Sequence, residues 1–178
     1  MTAISPRAFF GKLYWIDGRP LLDTMEEYRL AFLTKALFTL REDEKTPVYN
    51  LVLAGRGKKN WKSTDLVLAA LYCVLIRETS AGNDALIVTN AEDQAGDDLS
   101  LMKKLVAANP DTLGRELHVM QKEIKRVDGK GSIKILPSQD AIGLHGKTYA
   151  FLGLDEIHGI GTTPFWRRWR PTRRAPMH

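Results

Sequence analysis

Lys62 and Ser63 close a basic, glycine-containing stretch, Gly55-Arg56-Gly57-Lys58-Lys59-Asn60-Trp61. Far along the chain an apolar run, Tyr149-Ala150-Phe151-Leu152-Gly153-Leu154, ends directly in Asp155-Glu156. An ammonium and a hydroxyl at the start of a helix, facing two carboxylates at the end of a strand, supply what phosphoanhydride hydrolysis needs. Consecutive backbone N–H groups at a helix start can cradle phosphate oxygens, and the helix dipole favours their charge. In this reading Gly57, Lys58, Lys59, Asn60, Trp61, Lys62, Ser63 and Thr64 form the nucleotide loop. Lys62 reaches the β- and γ-phosphates and Ser63 holds Mg²⁺. Asp155 binds the same ion, and Glu156 orients or deprotonates the attacking water of ATP hydrolysis.

One residue departs from the usual pattern. A phosphate loop ordinarily has Gly immediately before the Lys, and neither Gly55 nor Gly57 restores G-x-x-x-x-G-K-[ST] around Trp61. Alone, the stretch reads equally as an ordinary basic turn between two elements. With Asp155-Glu156 following a hydrophobic strand, it reads as a deviant phosphate loop in which the Trp61 side chain points away from the nucleotide.

The elements that must position these groups follow from the hydrophobic periodicity. Trp15-Ile16-Asp17-Gly18-Arg19-Pro20 is a turn, and Met25, Tyr28, Phe32, Leu33 and Leu37 predict a helix over about 24–40. Arg41-Glu42-Asp43-Glu44-Lys45 is a solvated loop. The β-rich run 48–54 predicts a short strand feeding the basic turn 55–62. A helix over 63–78, apolar around most of its circumference, is expected to lie buried between layers. Ala85-Leu86-Ile87-Val88-Thr89 is a second buried strand, and a helix over 92–108 is closed by Asn109-Pro110. Residues 117–137 form a β-excursion, with Asp128-Gly129-Lys130-Gly131 as its turn. Strand, helix, strand, helix and core strand make an α/β fold with a parallel-sheet core. Residues 1–47 are a lead segment packed on that core, 48–160 the core itself, and 161–178 a basic tail.

Composition excludes several classes. The longest apolar run, Leu66 to Ile76, is too short to span a bilayer, and no signal-peptide pattern opens the chain. A single cysteine, Cys73, rules out an internal disulfide framework, fits a reducing compartment and reads as a buried structural thiol. The four histidines lack metal-ligand spacing. The formal net charge is +5, but residues 161–178 carry five arginines and no acid, so the body of the chain is neutral. The high isoelectric point therefore gives no sign of a DNA-binding face on the folded part.

Four short motifs in order resemble the large terminase subunits that package DNA into tailed phages. Lys58-Lys59-Asn60-Trp61-Lys62-Ser63-Thr64 is similar to that family's deviant Walker A, and Asp93-Gln94-Ala95 to its Asp-Gln-Ala at a helix start. Gly143-Leu144-His145-Gly146 resembles its Gly-x-x-Gly, and Leu154-Asp155-Glu156-Ile157-His158 its Walker B. The resemblance, over about residues 10–160, implies a P-loop NTPase core of the ASCE type, incomplete on its C-terminal side, that uses ATP and Mg²⁺. It places Lys58 at an early basic position that acts catalytically in some packaging motors, although Lys lacks the planar fork of Arg. Where the family shows an aromatic-Gln adenine contact this chain has Tyr28-Arg29, so no adenine role is carried over. His158 reads as a packing or capping residue.

By the same resemblance, the partners of intact relatives are phage DNA, the portal, the small terminase subunit and copies of the chain in a ring. The location is the cytoplasm of a bacterial host, without a membrane. The family's coupling motif and nuclease domain find no counterpart in this sequence. The Arg/Trp-rich residues 161–178 are expected to be disordered or out of frame, as in a degraded prophage gene. Two alternatives remain at this point. One is a DExH helicase-like ATPase, from Asp155-Glu156-Ile157-His158; the other is a catalytically inactive prophage remnant or nucleic-acid-binding fragment whose tail does the binding.

Overall fold

The computed structural model describes residues 4–43, 46–57, 59–77, 79, 82–140 and 148–156. The chain opens with α1 (Pro6–Phe10), started by Ser5, whose Oγ accepts from the Ala8 N–H at 3.2 Å, with Pro6 at the first helical position. This helix was not evident from the sequence, since five residues are too few to show a period. A turn fixed by the Trp15 N–H on the Arg19 carbonyl (2.8 Å) leads to a 3-10 turn, Leu21–Thr24, and then α2 (Glu27–Phe38). The expected helix over 24–40 is thus α2 with a separate 3-10 turn before it.

The buried helix is α3 (Lys62–Ile76), in which every residue from Val67 to Val74 is buried. Its apolar circumference is used on all sides. It packs against α2, α4 (Glu92–Ala108), and the strands β1 (Ala85–Thr89), β4 (Ser132–Pro137) and β5 (Phe151–Leu154). At its middle Tyr72 sits edge-on to Phe9 of α1 at 5.8 Å, and its hydroxyl donates to the Ile4 carbonyl at 2.7 Å. Cys73 is fully buried, and burial raises its thiol to about 11, so it is an unreactive core residue.

A short helix α5 (Leu113–Glu116) runs into β2 (Leu117–Val119) and β3 (Glu123–Arg126), and the sheet order is β2-β3-β4-β1-β5. The centre is parallel: β1 pairs with β4 on one side and β5 on the other, with Ile87 opposite Ile135 and Gly153. The β-excursion is an antiparallel ribbon, β2-β3-β4, that ends by joining this parallel centre. All five residues of β1 are buried, as a strand covered on both faces requires. Ala85 and Ile87 belong to the main core with α3 and α4, whereas Leu86 and Val88 begin a smaller cluster with Leu136, Tyr149, Leu152 and Leu154. Gly153 permits the approach of α3: a Cβ there would lie 2.8 Å from Leu66 Cδ1.

The expected strand over 48–54 is not formed. Only its beginning is tied down, by the Val48 N–H on the Thr39 carbonyl (2.9 Å) and a bridge between Leu40 and Pro47. Leu51 and Leu53 are 69% and 70% exposed. Both edges of β1 are taken by β4 and β5, and the outer edge of β5 is unpaired among the described residues. The basic loop is therefore delivered by an extended segment rather than by a sheet strand.

Candidate active site

The loop before α3 has an unusual backbone. Lys59 and Trp61 both adopt left-handed conformations, with φ of 59° and 58°, on either side of Asn60. Each such non-glycine residue costs on the order of 1–2 kcal/mol and needs its surroundings to hold it. Backbone alternating right- and left-handed residues can gather successive N–H groups into a concavity suited to an anion. Trp61 is also the N-cap of α3, and its side chain makes no capping hydrogen bond. No side-chain cap therefore blocks the first N–H groups of a fifteen-residue helix.

The Trp61 ring is engaged elsewhere. It stands edge-on to Trp15 with centroids 5.7 Å apart, and the Arg29 guanidinium lies 4.8 Å from the ring centroid. Asn60 is held from the same segment, its Oδ1 accepting from the Tyr28 hydroxyl at 3.2 Å. The lead segment thus supports the loop conformation directly.

Beneath the loop lies an ion-pair cluster that the sequence did not announce. Asp65, in the first turn of α3, accepts from Arg29 Nη2 at 2.6 Å and Nε at 3.0 Å, and it also binds Arg56. Arg29 reaches Glu26 as well, at 3.1 Å, and its side chain is 2% exposed. Arg56 lies over the Tyr28 and Phe32 rings, 5.4 and 5.2 Å from their centroids. One carboxylate therefore ties α2, α3 and the start of the basic loop together. In sequence, Arg29, Arg56 and Asp65 look like three isolated surface charges, because nothing local pairs residues 36 and 9 positions apart.

At the far side of the cleft, Asp155 directly follows β5 and is buried. Its Oδ2 accepts from Ser63 Oγ at 2.6 Å and from Gln94 Nε2 at 3.2 Å, while its Oδ1 accepts from the Glu156 N–H at 2.9 Å. Glu156 turns sharply off the strand with φ of 51°. Gln94, from the Asp-Gln-Ala sequence, is thereby placed at the same carboxylate as Ser63.

A cleft of about 390 Å³ is lined by Lys59, Asn60, Trp61, Lys62, Ser63, Thr64, Gln94, Asp155 and Glu156. The structure brings together the two ends that the sequence singled out. Gly57 is not among the lining residues, and a Cβ there would meet nothing within 4 Å. Lys58, the Gly143–Gly146 stretch, Ile157, His158 and residues 161–178 lie outside the described residues. A hollow of about 420 Å³ on α2 is lined by Arg7, Glu27, Thr34 and Lys35 among others. There Arg7 and Glu27 satisfy each other at 2.7 Å, and no donor set converges.

Asp98 is a further buried acidic group, electrostatically coupled to Asp155 but not among the residues lining the cleft, that sequence reasoning missed. It lies on α4, is 5% exposed, and its Oδ2 has no hydrogen-bond partner among the described residues. Burial first, then the neighbouring Asp155, Asp97 and Glu156, push it up to about 7, while Ser63 pulls the other way. Its only signal in the sequence was a carboxylate on the apolar face of an amphipathic helix.

Among the described residues no group of three or more His, Cys, Asp or Glu could hold a metal ion. The oxygen donors lining the open cleft include the Ser63 and Thr64 hydroxyls and the Asp155 and Glu156 carboxylates. That set suits a hard ion such as Mg²⁺, which keeps several waters and takes its remaining ligands from phosphate oxygens. It does not suit zinc, whose sites take three or four protein ligands and draw on His or Cys, neither of which lines the cleft.

A mixed sheet with a parallel centre, a basic loop opening a buried helix, and Asp-Glu at the end of the neighbouring strand define a P-loop NTPase-like fold. The family profile described as terminase large subunit, ATPase domain, matches residues 28–171, and the chain belongs to that family. Among solved structures it is similar to the HK97 bacteriophage large terminase, with a TM-score of 0.68 and 16% identity over 91% of this chain. The chain spans only 35% of that relative. No curated protein matches the sequence. Family membership sets the helicase alternative aside. Among the described residues no helix is long and apolar enough to cross a membrane.

Proposed function

We propose that this chain binds Mg-ATP in the cleft between residues 59–64 and the end of β5, as the ATPase part of a phage DNA-packaging motor. The observation that carries the reading is the 2.6 Å contact between Ser63 Oγ and Asp155 Oδ2, which joins two motifs 92 residues apart in one cleft. The unblocked start of α3 and the left-handed residues of the loop supply N–H donors for the phosphates. Lys62, the first residue of α3, extends an ammonium toward the β- and γ-phosphates. Ser63 and Asp155 hold the cation, and Gln94 fixes the orientation of Asp155. Mg²⁺, when bound, neutralises charge on the phosphate oxygens. Glu156, turned into the cleft mouth by its positive φ, orients the attacking water.

Lys58 is proposed to assist at the γ-phosphate, by its place at the family's early basic position. Phage DNA, the portal, the small terminase subunit and a ring of like subunits are proposed as partners, in the host cytoplasm. Calorimetric titration with Mg-ATP tests the reading, beside Lys62→Ala. Saturable binding that is lost in the folded variant supports a working phosphate loop. No binding by folded wild-type protein makes the chain a catalytically inactive relic of the fold.

A further inference from the structure

We propose that Arg29 is the positioning residue that lets a tryptophan stand where a phosphate loop ordinarily has glycine. Seated on the Trp61 ring and anchored to Asp65, it holds the left-handed turn that opens the start of α3 to phosphate. The inference rests on the Mg-ATP reading and deepens it. At φ 58° a residue with a side chain is strained, whereas glycine is not. Trp61 therefore keeps this conformation only while its surroundings hold it there.

The holding contacts close a circuit of three residues. The Trp61 carbonyl accepts from the Asp65 N–H at 2.9 Å, the first turn of α3. The Asp65 carboxylate accepts from Arg29 Nη2 at 2.6 Å and Nε at 3.0 Å. The Arg29 guanidinium in turn lies 4.8 Å from the centroid of the Trp61 ring, where the circuit began. Its third nitrogen reaches Glu26 at 3.1 Å, so two carboxylates fix the plane of the fork and keep it on the ring. The side chains of Arg29 and Asp65 are 2% and 6% exposed, so water does not weaken the attraction between guanidinium and ring. Asp65 has a second cation in Arg56, but that side chain lies over Tyr28 and Phe32. Of the two arginines, Arg29 is the one that couples the carboxylate to the residue directly before Lys62.

The test compares wild type, Arg29→Lys, Trp61→Leu, Trp61→Gly and the double variant Arg29→Lys/Trp61→Gly by Mg-ATP calorimetry, each below its own melting temperature. Lysine keeps a charge for Asp65 but has neither the fork nor the planar face. Leucine keeps a side chain at the left-handed position but offers the guanidinium no ring. Arg29→Lys and Trp61→Leu should each weaken Mg-ATP about tenfold relative to wild type. In the Trp61→Gly background, Arg29→Lys should leave the affinity at that of Trp61→Gly alone, because glycine needs no clamp. A merely structural Arg29 would lower affinity by the same factor in both backgrounds, and that result overturns the proposal while leaving the Mg-ATP reading intact. Equal affinities of Trp61→Leu and Trp61→Gly overturn it in the same way, and this comparison decides even where Arg29→Lys fails to fold. Folded wild-type protein that binds no Mg-ATP overturns both.

Discussion

Replacing Trp61 by Gly and by Ala separates two opposing contributions at the one position where the phosphate loop departs from the usual pattern. Both substitutions remove the edge-on contact with Trp15 and the stacking of Arg29. Trp61 is 38% exposed, so roughly 150 Å² of its side chain is covered, worth about 4 kcal/mol as an upper bound. Its backbone, however, is left-handed at φ 58°, which Ala adopts at a cost on the order of 1–2 kcal/mol and Gly adopts freely. Trp61→Ala should therefore destabilise by about 3–4 kcal/mol and Trp61→Gly by about 2–3 kcal/mol, with Gly the more stable of the two. For a domain of this size that is a melting-temperature gap of about 2–4 °C between the variants. Chemical denaturation and thermal melts read the stability, and Mg-ATP calorimetry reads the site. Affinity in Trp61→Gly should equal or exceed that of wild type, because the loop becomes the ordinary Gly-Lys-Ser arrangement. Ala more stable than Gly would refute the left-handed loop, and a tenfold loss of ATP affinity in folded Trp61→Gly would refute the idea that the ring stands clear of the nucleotide.

Other substitutions probe the supporting structure. Asp65→Ala leaves Arg29 buried with Glu26 as its one remaining carboxylate partner among the described residues, and should cost about 3–5 kcal/mol in denaturant titrations. Gly153→Ala drives a Cβ against Leu66 of α3 and should cost about 1–3 kcal/mol, seen as a lowered melting temperature. Asp98 governs a pH dependence in metal-free buffer. Its folded-state value, about 7, is above the ordinary 3.8, so its contribution is fully present below about pH 4 and is lost as pH rises to 7. Three units amount to at most about 4 kcal/mol, and about 2 kcal/mol after solvent screening at the open cleft. Asp98→Asn should flatten that fall between pH 4 and 7, measured by melts across the range; equal slopes in both proteins would count against the buried carboxyl.

Much of the fold was legible because its central elements carry strong, long patterns. The spans of β1 and α4 agree with their sequence readings, and α3 differs only at its ends, since a continuous apolar strand and long periodic helices leave little freedom. The run 48–54 misled because β-propensity describes a surface that fits a neighbour, and the run makes no ladder with the sheet even though the outer edge of β5 is unpaired among the described residues. At the candidate site, Lys62, Ser63, Asp155 and Glu156 could be singled out because their types and order match the proposed chemistry, and they line one cleft. The Arg29–Asp65–Arg56 cluster and Asp98 could not, because each depends on pairings that exist only after α2, α3 and α4 have packed.

The central claim is that the start of α3 and the end of β5 act on one ligand, and a double-mutant cycle of Ser63→Ala and Asp155→Asn in ATP binding tests it most directly. Calorimetric affinities for the four proteins, with Mg²⁺ and in EDTA, give the coupling between the two positions. The account predicts a coupling of at least about 1 kcal/mol with Mg²⁺ that vanishes in EDTA. Additive effects in Mg²⁺, or equal coupling without it, would contradict a shared cation between Ser63 and Asp155.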